Sequence, residues 1–144
     1  MSDLVWSEEI YGTGDRTLDE QHQELFKRVN FLTKALAEED EADEIMYFME
    51  FLEGYVVKHF RCEEGVMERR KCSGCKLNKK EHGEFLKLFS DFKTRFELEG
   101  PTRQFGETVS TTVQNWMRAH LGAVDTLLRE TPPPPPSGSA FSNP

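Results

Sequence analysis

The chain has 144 residues, enough for one domain with a hydrophobic core, and 11 phenylalanines to fill it. Its formal net charge is −8, with basic residues clustered only at Arg69-Arg70-Lys71 and Lys79-Lys80. That argues against nucleic-acid binding, which rests on phosphate neutralisation. The acidic start lacks a signal-peptide pattern, no apolar run approaches membrane-spanning length, and an odd count of three cysteines makes a disulfide framework unexpected. A cytoplasmic, acidic single domain without a membrane partner is expected.

Residues 1–17 read as an irregular arm, anchored by Trp6, Ile10 and Tyr11 and broken by Gly12 and Gly14. Thr17, with Glu20 three residues on, is in capping-box register for a helix to about Ala37. The apolar seam of that helix is Leu18, His22, Leu25, Val29, Leu32 and Leu36. A second helix is predicted over about 41–70, with Ile45, Phe48, Leu52, Tyr55, His59, Glu63 and Val66 in line. A third, about 76–98, aligns Asn78, His82, Phe85, Phe89, Phe92 and Phe96, and Gly100-Pro101 ends it. A fourth, about 102–130, aligns Phe105, Val109, Val113, Trp116, His120, Val124 and Leu127. Four long amphipathic helices with short links predict an all-α fold, an antiparallel up-down-up-down four-helix bundle with an irregular N-terminal arm. The bundle domain is expected over 1–131. Residues 132–144 carry a run of five prolines and read as a disordered tail, or as a linker to a partner domain.

The chemistry sits on the seams. His59 and Glu63, four residues apart, point the same way into the apolar face, where both are costly unless paired. The chain has four histidines, His22, His59, His82 and His120, one on the seam of each predicted helix. A lone histidine on an apolar face is usually a satisfied core residue, but one per helix and none elsewhere is hard to explain as packing. Glu63 lies beside His59, and Asp125 follows His120 by five residues, slightly off the seam but able to lean in. Imidazole with carboxylate suits iron, zinc, copper or manganese rather than calcium, and six such residues are enough for two ions.

The arm with Trp6, the Asp19-Glu20-Gln21-His22 segment with Leu25, and His59-Phe60-x-x-Glu63-Glu64-x-x-Met67 resemble the hemerythrins. So do His82-x-x-Phe85 and Trp116-x-x-x-His120-Leu121-x-x-x-Asp125, so that the likeness covers about residues 3 to 130. The resemblance implies a four-helix bundle that binds dioxygen at a non-haem di-iron centre with carboxylate and oxo or hydroxo bridges; nitric oxide and small anions are read as further ligands of the same site. It implies that His22 and His59 ligate one iron, His82 and His120 the other, and that Glu63 and Asp125 bridge them. Leu25, Phe60, Phe85, Trp116 and Met117 would line the dioxygen pocket. The family pattern has a fifth histidine where this chain has Asn78, an amide that is a weaker iron ligand than imidazole. The expectation is a di-iron centre that forms but oxidises faster, with Asn78 a weak or lost ligand.

Two further readings stay open at this point. One is a di-iron oxidase or peroxidase, or a redox- or nitric-oxide-sensing domain, using an open position at Asn78. The other is iron storage or a structural metal bundle, ranked last because bundle carboxylate sites of that kind use Glu-x-x-His and this chain has His-x-x-x-Glu. An oxygen-binding protein is preferred to an enzyme. Cys72 and Cys75 form a C-x-x-C at a helix start, a weak signal for a redox thiol pair. Cys62 reads as a small buried hydrophobe and Glu64 as a solvated carboxylate.

Overall fold

The computed structural model describes residues 3–131. Within them the sequence folds into α1 (Glu8–Tyr11), α2 (Arg16–Ala37), α3 (Ala42–Arg69), α4 (Cys75–Glu99) and α5 (Arg103–Ala123), followed by a 3-10 helix, Asp125–Glu130. Helix α2 packs on α3 and α5, and α4 packs on the same two, so successive long helices are neighbours around the bundle. Short links at 38–41, 70–74 and 100–102 make the order antiparallel, as the four seams predict. The Pro-rich stretch expected to be a tail or linker lies outside the described residues.

Two local expectations are corrected. Helix α2 starts two residues earlier than a Thr17 cap implies, because Asp15 is the cap and its Oδ1 accepts from Leu18 N at 3.0 Å. The arm is also less irregular than expected, since Ser7 Oγ accepts from Ile10 N at 3.2 Å and closes the single turn α1.

The fourth seam is interrupted. Helix α5 stops at Ala123, and the chain tightens into 3-10 geometry at Asp125. On an unbroken α-helix Asp125 would point about 140° away from His120. The break instead turns it inward until it is fully buried, and it buries Leu128 at 0 % exposure in place of the expected Leu127. The link between α3 and α4 holds this turn in place. The two approach closely at Gly74, where a Cβ would lie 2.9 Å from Leu127 Cδ1, the movable end of a side chain.

Away from the histidines the core is hydrocarbon, with Phe48, Ile45 and Phe105 almost wholly buried. Helices α3 and α5 meet α2 there across Gly106, where a Cβ would lie 2.5 Å from Ile45 Cδ1 and 3.0 Å from Leu36 Cδ2. Gly106→Ala is expected to destabilise the fold by about 1–3 kcal/mol through overpacking, read as a lower denaturant midpoint at unchanged slope. An unchanged midpoint would mean that the helices separate there at no cost.

Candidate metal centre

The four histidines meet in one layer. His22 comes from α2, His59 and Glu63 from α3, Asn78 and His82 from α4, His120 from α5 and Asp125 from the 3-10 turn. None of the seven is more than 4 % exposed. Burying this many polar groups is unfavourable unless each has a partner of opposite character.

Glu63 is divided between two imidazole pairs. Its Oε2 lies 2.8 Å from His22 Nε2 and 3.5 Å from His59 Nε2. Its Oε1 lies 2.8 Å from His82 Nε2 and 3.6 Å from His120 Nε2. Asp125 is divided the same way, with Oδ2 3.3 Å from His22 Nε2 and Oδ1 3.0 Å from His120 Nε2. Two donor clusters result, His22–His59–Glu63 and Glu63–His82–His120, each with its ligand atoms within 4.8 Å of one another.

Asn78 belongs to the second cluster. Its inward amide end lies 2.8 Å from Glu63 Oε1, 3.0 Å from both His82 Nε2 and His120 Nε2, and 3.2 Å from Asp125 Oδ1. With nitrogen inward, the amide has two N–H groups to donate among four neighbours, so at most two of them are served. With oxygen inward, five acceptors face one another, an arrangement that a cation in their midst satisfies.

These residues fit a metal pair. Asp125 Oδ2 is buried with no hydrogen-bond partner, so the layer is not self-satisfied by the protein's own groups. Adjacent ligand atoms around a six-coordinate ion with bonds of about 2.1 Å stand about 3 Å apart, close to the spacings seen here.

Behind the imidazoles lies a layer that sequence reasoning missed. Glu64 is not simply solvated, since its Oε2 accepts from His82 Nδ1 at 2.8 Å. Glu81 Oε1 accepts from His120 Nδ1 at 2.8 Å, and Gln21 Oε1 from His59 Nδ1 at 2.6 Å. A bond at Nδ1 fixes the ring and directs Nε2 to the centre. The signal was present but unread, because each supporter is next in sequence to a ligand: Gln21 to His22, Glu64 to Glu63, Glu81 to His82.

On the other side the rings meet hydrocarbon. Phe60 stacks on His82 at 3.7 Å and Trp116 on His120 at 4.4 Å. Leu25, Phe60, Phe85, Trp116 and Met117 all line one small cavity together with Leu52, Val56 and Val113. Cys72 lies apart from the cavity, buried with Leu18, Val66, Met67 and Leu128, and half-buried Cys62 and Cys75 pack against that cluster. All three thiols are free, and Gln21 Nε2 reaches Cys62 Sγ at 3.7 Å.

Without metal the layer balances its charge by holding protons. Burial opposes charge on His22 and His120, but Asp125 and Glu63 outweigh it and push them up to about 9 and about 10. Burial likewise opposes the Glu63 anion, yet the four surrounding histidines hold it well below the usual carboxylate range. Burial lowers His59, with Glu63 opposing. His22 and His120 therefore contribute stability that is complete below about pH 6.5, their unfolded value. That contribution is lost as pH rises through 9 and 10. His59 has the opposite sign and costs stability only below about pH 6.5. With chelator present, the melting temperature is expected to fall between pH 7 and pH 10. A flat profile would mean that both histidines are already neutral at pH 7.

The sequence matches the family described as hemerythrin HHE cation binding domain over residues 13–129. It is 27 % identical over 121 residues to a bacteriohemerythrin of Pseudomonas paraeruginosa (strain PA7), covering 84 % of this chain and 76 % of the relative. It is 27 % identical over 127 residues to a bacteriohemerythrin of Methylococcus capsulatus (strain Bath), covering 88 % and 95 %. The fold superposes on wild-type hemerythrin with a TM-score of 0.69 at 26 % identity, covering 86 % of this chain and 93 % of that one. Among the described residues no helix is long and apolar enough to cross a membrane. Bundle, buried donor layer and sequence match agree, and the chain belongs to the hemerythrin HHE cation-binding family.

Proposed function

We propose that the chain holds two non-haem iron ions in the histidine layer and binds dioxygen reversibly beside them. The observation that carries this reading is the division of Glu63 and Asp125. Each places one oxygen by the His22 side and the other by the Asn78 side, as carboxylates that bridge two ions must. His22 and His59 would hold one ion, and His82, His120 and Asn78 the other. A reduced iron pair, when bound, supplies the electrons that dioxygen takes on binding and returns on release.

The protein's own task is to keep water and protons out. The cavity wall is aliphatic, aromatic and thioether, so a small apolar gas is admitted at little cost while water finds few partners. Phe60 and Trp116 also clamp His82 and His120 face-on, which restricts ring rotation.

The test is iron content per chain after expression with iron supplied, followed by the visible spectrum with and without dioxygen. Two irons, with an oxygen-dependent absorption that disappears on deoxygenation, are expected. One iron or fewer, or a spectrum that bleaches irreversibly in air, would overturn reversible binding.

A further inference from the structure

The support behind the imidazoles is unequal. On the Asn78 side both rings are backed by carboxylates, Glu64 behind His82 and Glu81 behind His120. On the other side His59 is backed by the neutral amide of Gln21, and His22 Nδ1 has no partner. Both supporting carboxylates serve the cluster in which an amide stands among the acceptors.

A carboxylate accepting from Nδ1–H draws the ring toward imidazolate and makes Nε2 a stronger donor, whereas an amide oxygen does so much less. The side chains of Glu64 and Glu81 are 29 % and 27 % exposed, so each keeps contact with water while gripping a ring that is 2 % exposed. Neither carboxyl group is fully removed from water.

From this geometry we infer that Glu64 and Glu81 are positioning residues that hold the Asn78-side metal. They offset the weak amide ligand by strengthening the two imidazoles that remain. The inference rests on the two-metal reading. It predicts that this support matters more here than it would beside a full set of imidazoles, because His82 and His120 are the only imidazole donors in their cluster.

The experiment is a cobalt(II) titration of the metal-free chain, followed by its visible ligand-field bands. Wild type is expected to take two equivalents. In a Glu64→Gln/Glu81→Gln double variant one step, that of the Asn78 side, should lose about 10–100-fold per substitution while the other remains. Adding Asn78→His to the double variant should restore much of that loss, which a merely structural role would not do. Equal weakening of both steps, or two unaltered steps in the double variant, would overturn the inference while leaving two metals in place. A wild-type chain that takes only one equivalent would overturn the two-metal reading and this inference with it. Circular dichroism of each metal-free variant shows whether the helices are intact, and the single variants carry the same test should the double variant not fold.

Discussion

Glu63→Ala is expected to abolish metal binding and to destabilise even the metal-free chain, by about 3–5 kcal/mol. Glu63 is fully buried and stands within 3.6 Å of all four histidine Nε2 atoms. Both donor clusters contain it, so its loss removes a ligand from each at once. In the metal-free layer, His22 and His120 carry protons that Glu63 and Asp125 jointly compensate. With Glu63 gone, two buried cations would face one buried anion. The chain must then release a proton at neutral pH or unfold. Denaturant unfolding with chelator present, paired with metal analysis, measures both effects. Glu63→Gln separates shape from charge, since it fills the space without the anion. Were Glu63→Gln as stable as wild type at pH 7, the charge argument would fail and packing alone would remain.

Asn78→His should change sign with metal. Asn78 is fully buried and already touches four ligand atoms at 2.8–3.2 Å. A longer imidazole must displace something, and overpacking of this kind costs about 1–3 kcal/mol. Without metal the variant is therefore expected to melt below wild type. With metal it gains an imidazole in place of an amide oxygen, a better donor for iron. Tightening of the second ion by about tenfold or more, roughly 1.4 kcal/mol, is expected. Oxidation of the loaded protein in air should slow accordingly. The measurement is a pair of melting curves, with chelator and with iron, beside a time course of the visible spectrum in air. Lower stability in both conditions would show that the amide is needed for packing and that the site gains nothing from a further imidazole.

The seams of the four long helices were readable because burial repeats with helical period, and nearly every residue placed on them is buried. The same period brought all four histidines and Glu63 to the interior. Asp125 was harder. Helical geometry alone points it away from His120, and only the break after Ala123 turns it in, a break that lies where Leu127 packs close to Gly74. Glu64 was misread for a related reason. Periodicity tells whether a side chain faces inward, but Glu64 lies at the helix edge, where its partner is a ring on the next helix. Which neighbour meets an edge residue depends on crossing angle and register, and these are not properties of one helix. Asp15 displaced Thr17 as the cap because its Oδ1 reaches Leu18 N at 3.0 Å, which leaves Arg16 and Thr17 already inside the helix.

The supporters form a directed chain around the bundle. Gln21 on α2 steadies a ring on α3, Glu64 on α3 a ring on α4, and Glu81 on α4 a ring on α5. The circuit stops there, because Ala119, which precedes His120, has no group to offer His22. Three of the four helix seams are thus stitched at the level of the ligands, and the α5–α2 seam is left unsewn. Closing it falls to Asp125, through its approach to His22 from a turn of only six residues. The histidine layer is therefore closed on its fourth side by a segment outside the four long helices, whose placement depends on how α5 ends.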